Sequence, residues 1–317
     1  MVREPVFADV LDAAQRIAPY VHRTPVFTSA TLDRMIGAEV FFKAENLQKV
    51  GAFKARGACN AVFALSQDQA ARGVLTHSSG NHAQAVAYAA RHRGVPATVV
   101  MPKDAPAVKV AAVRGYGATI VWAGVDPLDR ERKLEEVLAK RGAVFIHPSN
   151  DPYVIAGQGT AALELLDEVA DLDVVMVPVG GGGLLAGTAL AVKGLLPDAR
   201  VYGAEPVMVD DAARSFHDGR IYPPTGAYTV ADGLRTFLGD VNFPIIQAGV
   251  HDIVTVTEQG IIRAMRLVWE RMKLIIEPSA AVPVAALFEH REVFQGKRVG
   301  VILSGGNVNL DELPWLA

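Results

Sequence analysis

The chain has 317 residues, half of them hydrophobic, with a formal net charge of −3 and a single cysteine, Cys59. That length allows two domains with a sizeable core. The interspersed charge announces no basic surface for nucleic acid, and one cysteine excludes an internal disulfide or a Cys-rich metal site. No apolar run approaches the roughly 18 residues of a membrane span. The first twenty residues mix Arg3, Glu4, Asp9, Asp12 and Arg16 with apolar positions and hold no signal-peptide core, so a cytoplasmic protein is expected.

In chain order, the first chemically notable segment is Val50-Gly-Ala-Phe-Lys-Ala-Arg-Gly57, which opens an apolar helix through Ala58–Leu65. A lysine near a helix amino terminus faces an unfavourable dipole, which promotes its neutral amine. Schiff-base chemistry requires that form. Lys54 is the candidate, though Arg56 equally offers a functional cation. Next comes a strand at Val74–Thr76, the turn Ser78-Ser79-Gly80-Asn81-His82, a helix Ala83–Arg91 and a strand Ala97–Met101. Serine and asparagine are good helix caps. The same hydroxyls, amide and free N–H groups also form a carboxylate receptor. His82, followed by an apolar helix, reads as a packing residue rather than a base.

A strand in Ala118–Val121, a helix Asp129–Lys140 and a strand Ala143–His147 continue the alternation. The nearly all-apolar strand Asp173–Pro178 runs into Gly180-Gly-Gly-Gly183 and a helix near Leu184–Leu196, followed by strand Arg200–Gly203. Four glycines between a buried strand and a helix suit a phosphate cup. A dinucleotide site is the rival, with Glu205 as its ribose acid, but Leu185 stands where that fingerprint wants Gly or Ala. A flexible turn is the third reading. The last strand, Arg298–Leu303, ends in Ser304-Gly-Gly-Asn307. This alternation predicts an α/β fold with largely parallel sheets. Three of the turns lie where strands end, the usual place for a ligand in open α/β sheets.

Taken in order and spacing, these segments resemble the serine/threonine dehydratase group of fold-type II pyridoxal-phosphate enzymes, which includes serine racemase and 3-hydroxyaspartate dehydratase. The resemblance also runs through His22-Arg-Thr-Pro25, Phe42-Lys-Ala-Glu45-Asn46-Leu47-Gln48, Ile155-Ala-Gly-Gln-Gly-Thr160, Gly203-Ala-Glu-Pro206, Ala231-Asp-Gly233 and Glu277-Pro-Ser279. It implies the tryptophan synthase β-like architecture: two open α/β domains with the cofactor in the cleft between them. Residues 69–148 are expected to form the small domain and residues 1–68 with 149–317 the large one. The short stretch after Ser304 is expected to leave no room for the regulatory domain of biosynthetic threonine dehydratases.

The resemblance also implies roles. Lys54 would carry pyridoxal 5′-phosphate, with Phe53 beside the ring, Asn81 on its 3′-oxygen and Ser304 facing the pyridine nitrogen. Gly180, Gly181, Gly182, Gly183 and Leu184 would hold the phosphate. Ser78, Ser79, Gly80, Asn81 and His82 would receive the substrate carboxylate, and Ser79 would move protons on the face opposite Lys54. Arg130 matches an arginine near the substrate's distal end, where it could pair a second carboxylate; a surface helix charge is the other reading. Glu205, the Val209 carbonyl and Asp211 match a loop for Mg²⁺ or Ca²⁺; a solvated acidic loop is the alternative. Ala52 replaces a frequent serine, a variant associated with 3-hydroxyaspartate dehydratases, and Ser149 stands where serine racemase resembles Asn.

The expected activity is a lyase of amino-acid catabolism, a homodimer, that takes water and then ammonia from 3-hydroxyaspartate, threonine or serine. Serine racemase is the alternative within enzymes. A non-catalytic nucleotide-binding protein is the alternative outside them.

Overall fold

A computed structural model describes residues 3–78, 80–105, 107–124 and 126–316. Two sheets form instead of one. The six-stranded sheet contains β1 (Val26–Thr28), β2 (Glu39–Lys43), β7 (Val174–Pro178), β8 (Arg200–Pro206), β9 (Asp252–Val256) and β10 (Arg298–Ile302), in the order β1-β2-β10-β7-β8-β9. Only the edge pair β1–β2 runs antiparallel in this sheet. The four-stranded sheet contains β3 (Val74–His77), β4 (Ala97–Pro102), β5 (Thr119–Ala123) and β6 (Val144–Phe145), ordered β5-β4-β3-β6 and parallel throughout.

The continuous apolar runs of β7, β4 and β10 follow from helices covering both faces. One cluster of buried side chains lies on each side of the larger sheet, around Met176 and Phe42 on one face and Val175 and Val177 on the other. A third cluster joins the Lys54–Ala64 helix to the four-stranded unit through Cys59, Val62, Val86 and Val99.

Two glycines set the depth of the Lys54 helix. A Cβ on Gly157, in the helix Pro152–Glu168, would lie 2.6 Å from the Cα of Gly57. The two backbones therefore touch directly. Beside this crossing Arg56 is fully buried and holds Glu45 (2.7 and 2.8 Å) and Glu164 (2.7 and 2.8 Å) in two-pronged pairs. Buried charges persist only when paired and hydrogen-bonded. Arg56 thus anchors the helix that carries Lys54, with its charge paired on both sides.

Helix and strand boundaries differ from expectation mostly by one to three residues. The helix after the Ser78 turn begins at Asn81 rather than Ala83, and the strand that starts at Arg200 extends three residues past Gly203, through Pro206. The strand expected over Ala143–His147 shrinks to Val144–Phe145, because His147 turns inward to bond the next loop.

Candidate active site

The Lys54 amine is the centre of the site. Its Nζ donates to the carbonyl of Pro148 at 2.8 Å and lies 5.1 Å from the centre of the Phe53 ring. Burial lowers the amine from 10.5 to about 8, partly offset by the negative charge of Glu277. Three imidazoles nearby stay neutral at physiological pH. Burial pushes His82 well below its ordinary value, lowers His77, and holds His147 at about 4. His147 Nδ1 accepts the N–H groups of Ser149 and Asn150, at 3.1 and 2.8 Å, and so fixes the loop that offers the Pro148 carbonyl.

Three loops converge on this amine. The turn after β10 reaches it through the backbone: Phe53 N–H donates to the Ser304 carbonyl at 3.0 Å, and Ala52 forms a bridge with Gly305. Ser304 is buried there. The glycine loop after β7 reaches it through Ser149, whose hydroxyl would be 2.4 Å from a Cβ on Gly181. Gly182 adopts φ +78°, a left-handed conformation that glycine accepts without strain, and caps the helix Gly183–Leu195 with no side-chain bond. The first-turn N–H groups of that helix are therefore not taken by a capping side chain, and Gly183 and Leu184 are buried. Asn242, fully buried, supports the loop by donating to the carbonyls of Gly181 (2.8 Å) and Ser149 (3.2 Å).

The third loop is the Ser78–His82 turn. Gly80, not a serine, takes the N-cap position of the helix Asn81–Arg93, with no side-chain cap, and a Cβ there would meet open space. Capping by Ser78 or Asn81 is thereby replaced: the Ser78 hydroxyl accepts from Gly80 N–H at 3.1 Å. Asn81 Nδ2 donates to both oxygens of Glu277, at 3.0 and 3.1 Å. His82 is buried and its Nε2 bonds the Ile146 carbonyl at 3.0 Å, as a packing residue would. Ser79 lies outside the described residues.

Arg130 lies in the helix Pro127–Arg141. Its positive charge helps lower His77, at the end of β3, and its buried Nε has no hydrogen-bond partner. Glu205 lies near the end of β8 and Asp211 starts the helix Asp211–Asp218 that follows. Glu205 is fully buried and accepts the N–H groups of Ala212 and Ala213 at 3.0 and 2.8 Å, while Asp211 Oδ2 is buried and unpartnered. Burial, helped by the nearby charges of Asp211 and Asp210, raises Glu205 to about 9, and burial with the charge of Asp210 raises Asp211 to about 7. Among the described residues no group of three or more His, Cys, Asp or Glu side chains is arranged to hold a metal. The orphaned Asp211 oxygen is the feature of this pair that would fit a hard cation.

Glu277, Asn307, Asn242, His77 and the His147–Pro148 pair were not assigned roles from sequence. Glu277 precedes a proline at a helix start and there reads as a cap; Asn242 is one of two amides in a largely apolar helix. Neither pattern carries a signal of its own.

An amine of lowered pKa, an open helix amino terminus on a glycine loop and a hydroxyl at a third strand end form a donor set that fits pyridoxal phosphate. The chain belongs to the pyridoxal-phosphate dependent enzyme family, whose model matches residues 17–305. It is 49% identical over 98% of its length to a beta-hydroxyaspartate dehydratase of Paracoccus denitrificans, covering 99% of that protein. It is also 49% identical to an L-threo-3-hydroxyaspartate ammonia-lyase of Saccharomyces cerevisiae, over 98% of this chain and 96% of that one. Maize serine racemase superposes with a TM-score of 0.95 at 46% identity, covering 98% of this chain and 95% of that one. Among the described residues no helix is long and apolar enough to cross a membrane.

Proposed function

We propose that the chain is a pyridoxal-phosphate dependent lyase that converts 3-hydroxyaspartate to the dicarboxylic oxo acid and ammonia. The observation that carries this reading is the enclosed Lys54 amine, held at about 8 where three strand-end loops meet. The substrate choice rests on the two relatives named for 3-hydroxyaspartate and on the unpartnered Arg130 Nε.

Lys54, Phe53, Asn81, Ser304 and the Gly180–Leu184 loop would hold the cofactor. When bound, pyridoxal phosphate withdraws electrons from the substrate's α-carbon and acidifies its C–H bond. The Lys54 amine takes that proton at Nζ, oriented by the Pro148 carbonyl. The first-turn N–H groups of the helix Asn81–Arg93, which no side chain caps, would hold the α-carboxylate at that amino terminus. Ser79 gives a proton to the departing β-hydroxyl, which leaves as water, and Arg130 pairs the second carboxylate. Ser304 would offer the ring nitrogen a neutral hydroxyl, which would not enforce its protonation and would favour prompt loss of the β-substituent.

The four-stranded unit, residues 69–148, is proposed as a small domain that closes over the larger one formed by residues 1–68 and 149–317. Strands drawn only from residues 74–145 support that division. Glu205, the Val209 carbonyl and Asp211 would hold Mg²⁺ or Ca²⁺ as a structural ion. Assembly as a cytoplasmic homodimer belongs to the same proposal.

Racemisation of serine is the second reading, supported by the likeness to maize serine racemase. A panel of threonine, serine and the 3-hydroxyaspartate isomers decides between them. Equimolar oxo acid and ammonia, fastest from 3-hydroxyaspartate, is the expected result. Accumulation of the inverted amino acid without ammonia would replace this reading with the second.

A further inference from the structure

The side-chain amide of Asn81 is held from both ends. Its Nδ2 donates to both oxygens of Glu277, at 3.0 and 3.1 Å, and its Oδ1 accepts from Asn307 Nδ2 at 2.9 Å. Both flanking groups are themselves fixed. Asn307 Nδ2 also donates to the Val50 carbonyl at 2.8 Å, and a Cβ on Gly51 would fall 2.7 Å from its Oδ1. Glu277 is 6% exposed, and its Oε2 accepts the backbone N–H of Asn307 at 3.2 Å. Its own N–H donates to the Gly305 carbonyl at 3.0 Å, and a Cβ on Gly305 would fall 2.8 Å from Oε1. The Asn81 amide therefore stands against the loop that leads into Lys54, between two groups with no room to swing away.

An amide has a donor end and an acceptor end of nearly equal shape, so its neighbours decide which way it faces. Carboxylate oxygens only accept, and the Asn307 Nδ2 only donates. One orientation of Asn81 satisfies both. The flipped one sets Oδ1 against the carboxylate and two N–H groups against each other, leaving enclosed polar atoms unpaired. The two oxygens of one carboxylate subtend too narrow an angle at Nδ2 to take both of its diverging N–H bonds. Among the described residues Nδ2 has no acceptor besides Glu277, so one of its N–H groups is left over.

We propose that Asn307 and Glu277 are positioning residues: they set the polarity of the Asn81 amide, so that the spare N–H of Nδ2 is presented as a donor to the cofactor's 3′-oxygen. This rests on the reading of Asn81 as a holder of that oxygen. Each residue acts through Asn81 and not by its own contact with the cofactor. Exchanging the two flanking groups reverses the polarity while keeping their shapes and the net charge. With Glu277→Gln and Asn307→Asp together, an acceptor faces Oδ1 and a donor faces Nδ2. The amide then turns over and offers the cofactor an oxygen in place of the N–H.

The test measures binding to the full-length chain by equilibrium dialysis, above the pH of about 7 to which burial raises Glu277, so that its carboxylate is charged. The two probes are pyridoxal phosphate and its analogue without the 3′-oxygen. The double variant should bind pyridoxal phosphate about tenfold more weakly than the wild type does, and the analogue equally well. Equal weakening for both probes would make the two residues structural supports, and no weakening for either would show that the direction of the amide is immaterial; each overturns the inference. If the double variant does not fold, Asn307→Ala decides, because it removes the donor that holds Oδ1. Binding about threefold weaker for pyridoxal phosphate and unchanged for the analogue supports the inference, and an equal change or none overturns it. A wild-type chain that binds neither probe overturns the proposed function. One that binds both equally well leaves that function standing and overturns the role of Asn81, and this inference with it.

Discussion

The Nζ of Lys54 and the carbonyl of Pro148 meet at 2.8 Å, joining the first turn of one helix to the loop that leaves the four-stranded sheet. That loop is itself locked by His147, and it packs against Gly181 through Ser149. The amine and the glycine loop are therefore parts of one rigid assembly, which is what proximity catalysis requires.

Loosening that assembly at the glycine loop should show first in cofactor retention. Asn242→Ala leaves the Gly181 and Ser149 carbonyls without their amide donor. Affinity for pyridoxal phosphate should fall by about 1–2 kcal/mol, the scale of a buried hydrogen bond and an unpaired acceptor. Equilibrium dialysis measures it; unchanged affinity would show that the loop holds its shape without Asn242.

The helix crossing under Lys54 gives a prediction of stability. A methyl group on Gly157 has no space against Gly57, so Gly157→Ala should destabilise the chain by about 1–3 kcal/mol. Urea unfolding reads this directly. A neutral effect would mean that the two helices separate at little cost.

The acidic loop predicts a cation effect with a definite pH sign. Glu205 ordinarily titrates at 4.5 but is held at about 9 in the folded chain, so it keeps a proton that the unfolded chain releases. Without a cation, stability should fall as pH rises from 4.5 towards 9. A divalent cation displaces that proton, so its binding should tighten with rising pH. Millimolar Mg²⁺ or Ca²⁺ should raise Tm more at pH 8 than at pH 6, and Glu205→Gln should abolish the increase. Identical Tm values with cation and with chelator at both pH values would remove the metal from the account.

Much of this was legible in the sequence because glycine and strand-end motifs carry their own chemistry. Gly180–Gly183 stand out by residue type and position, whereas Lys54 is a weak signal and the Ser304 turn reads as a tight turn until the resemblance gives both their expected roles. The two-sheet arrangement followed from the resemblance, whereas the antiparallel β1–β2 edge left no signal in strands of three and five residues. Glu277 and Asn307 were illegible for a different reason. Their partners lie 196 and 226 residues away on Asn81, and nothing local distinguishes such residues from a helix cap and a turn amide.

Arg130 tests the substrate. If it pairs a second carboxylate, Arg130→Ala should lower kcat/KM for 3-hydroxyaspartate by about 2–3 kcal/mol, the upper range for a charged hydrogen bond. Threonine and serine turnover should change little, because neither presents a second charge. Equal losses on all substrates would make Arg130 a structural charge beside His77.

The most direct measurement of the central claim is the covalent address of the cofactor. The loaded enzyme is reduced with borohydride, digested and mapped by mass, alongside turnover by Lys54→Ala. The account predicts the cofactor's mass on the peptide containing Lys54 and a loss of oxo-acid formation of at least about 10²-fold in the variant, which should still fold and still bind cofactor through Gly180–Gly183. Cofactor mass on another lysine, or normal oxo-acid production by Lys54→Ala, would contradict it.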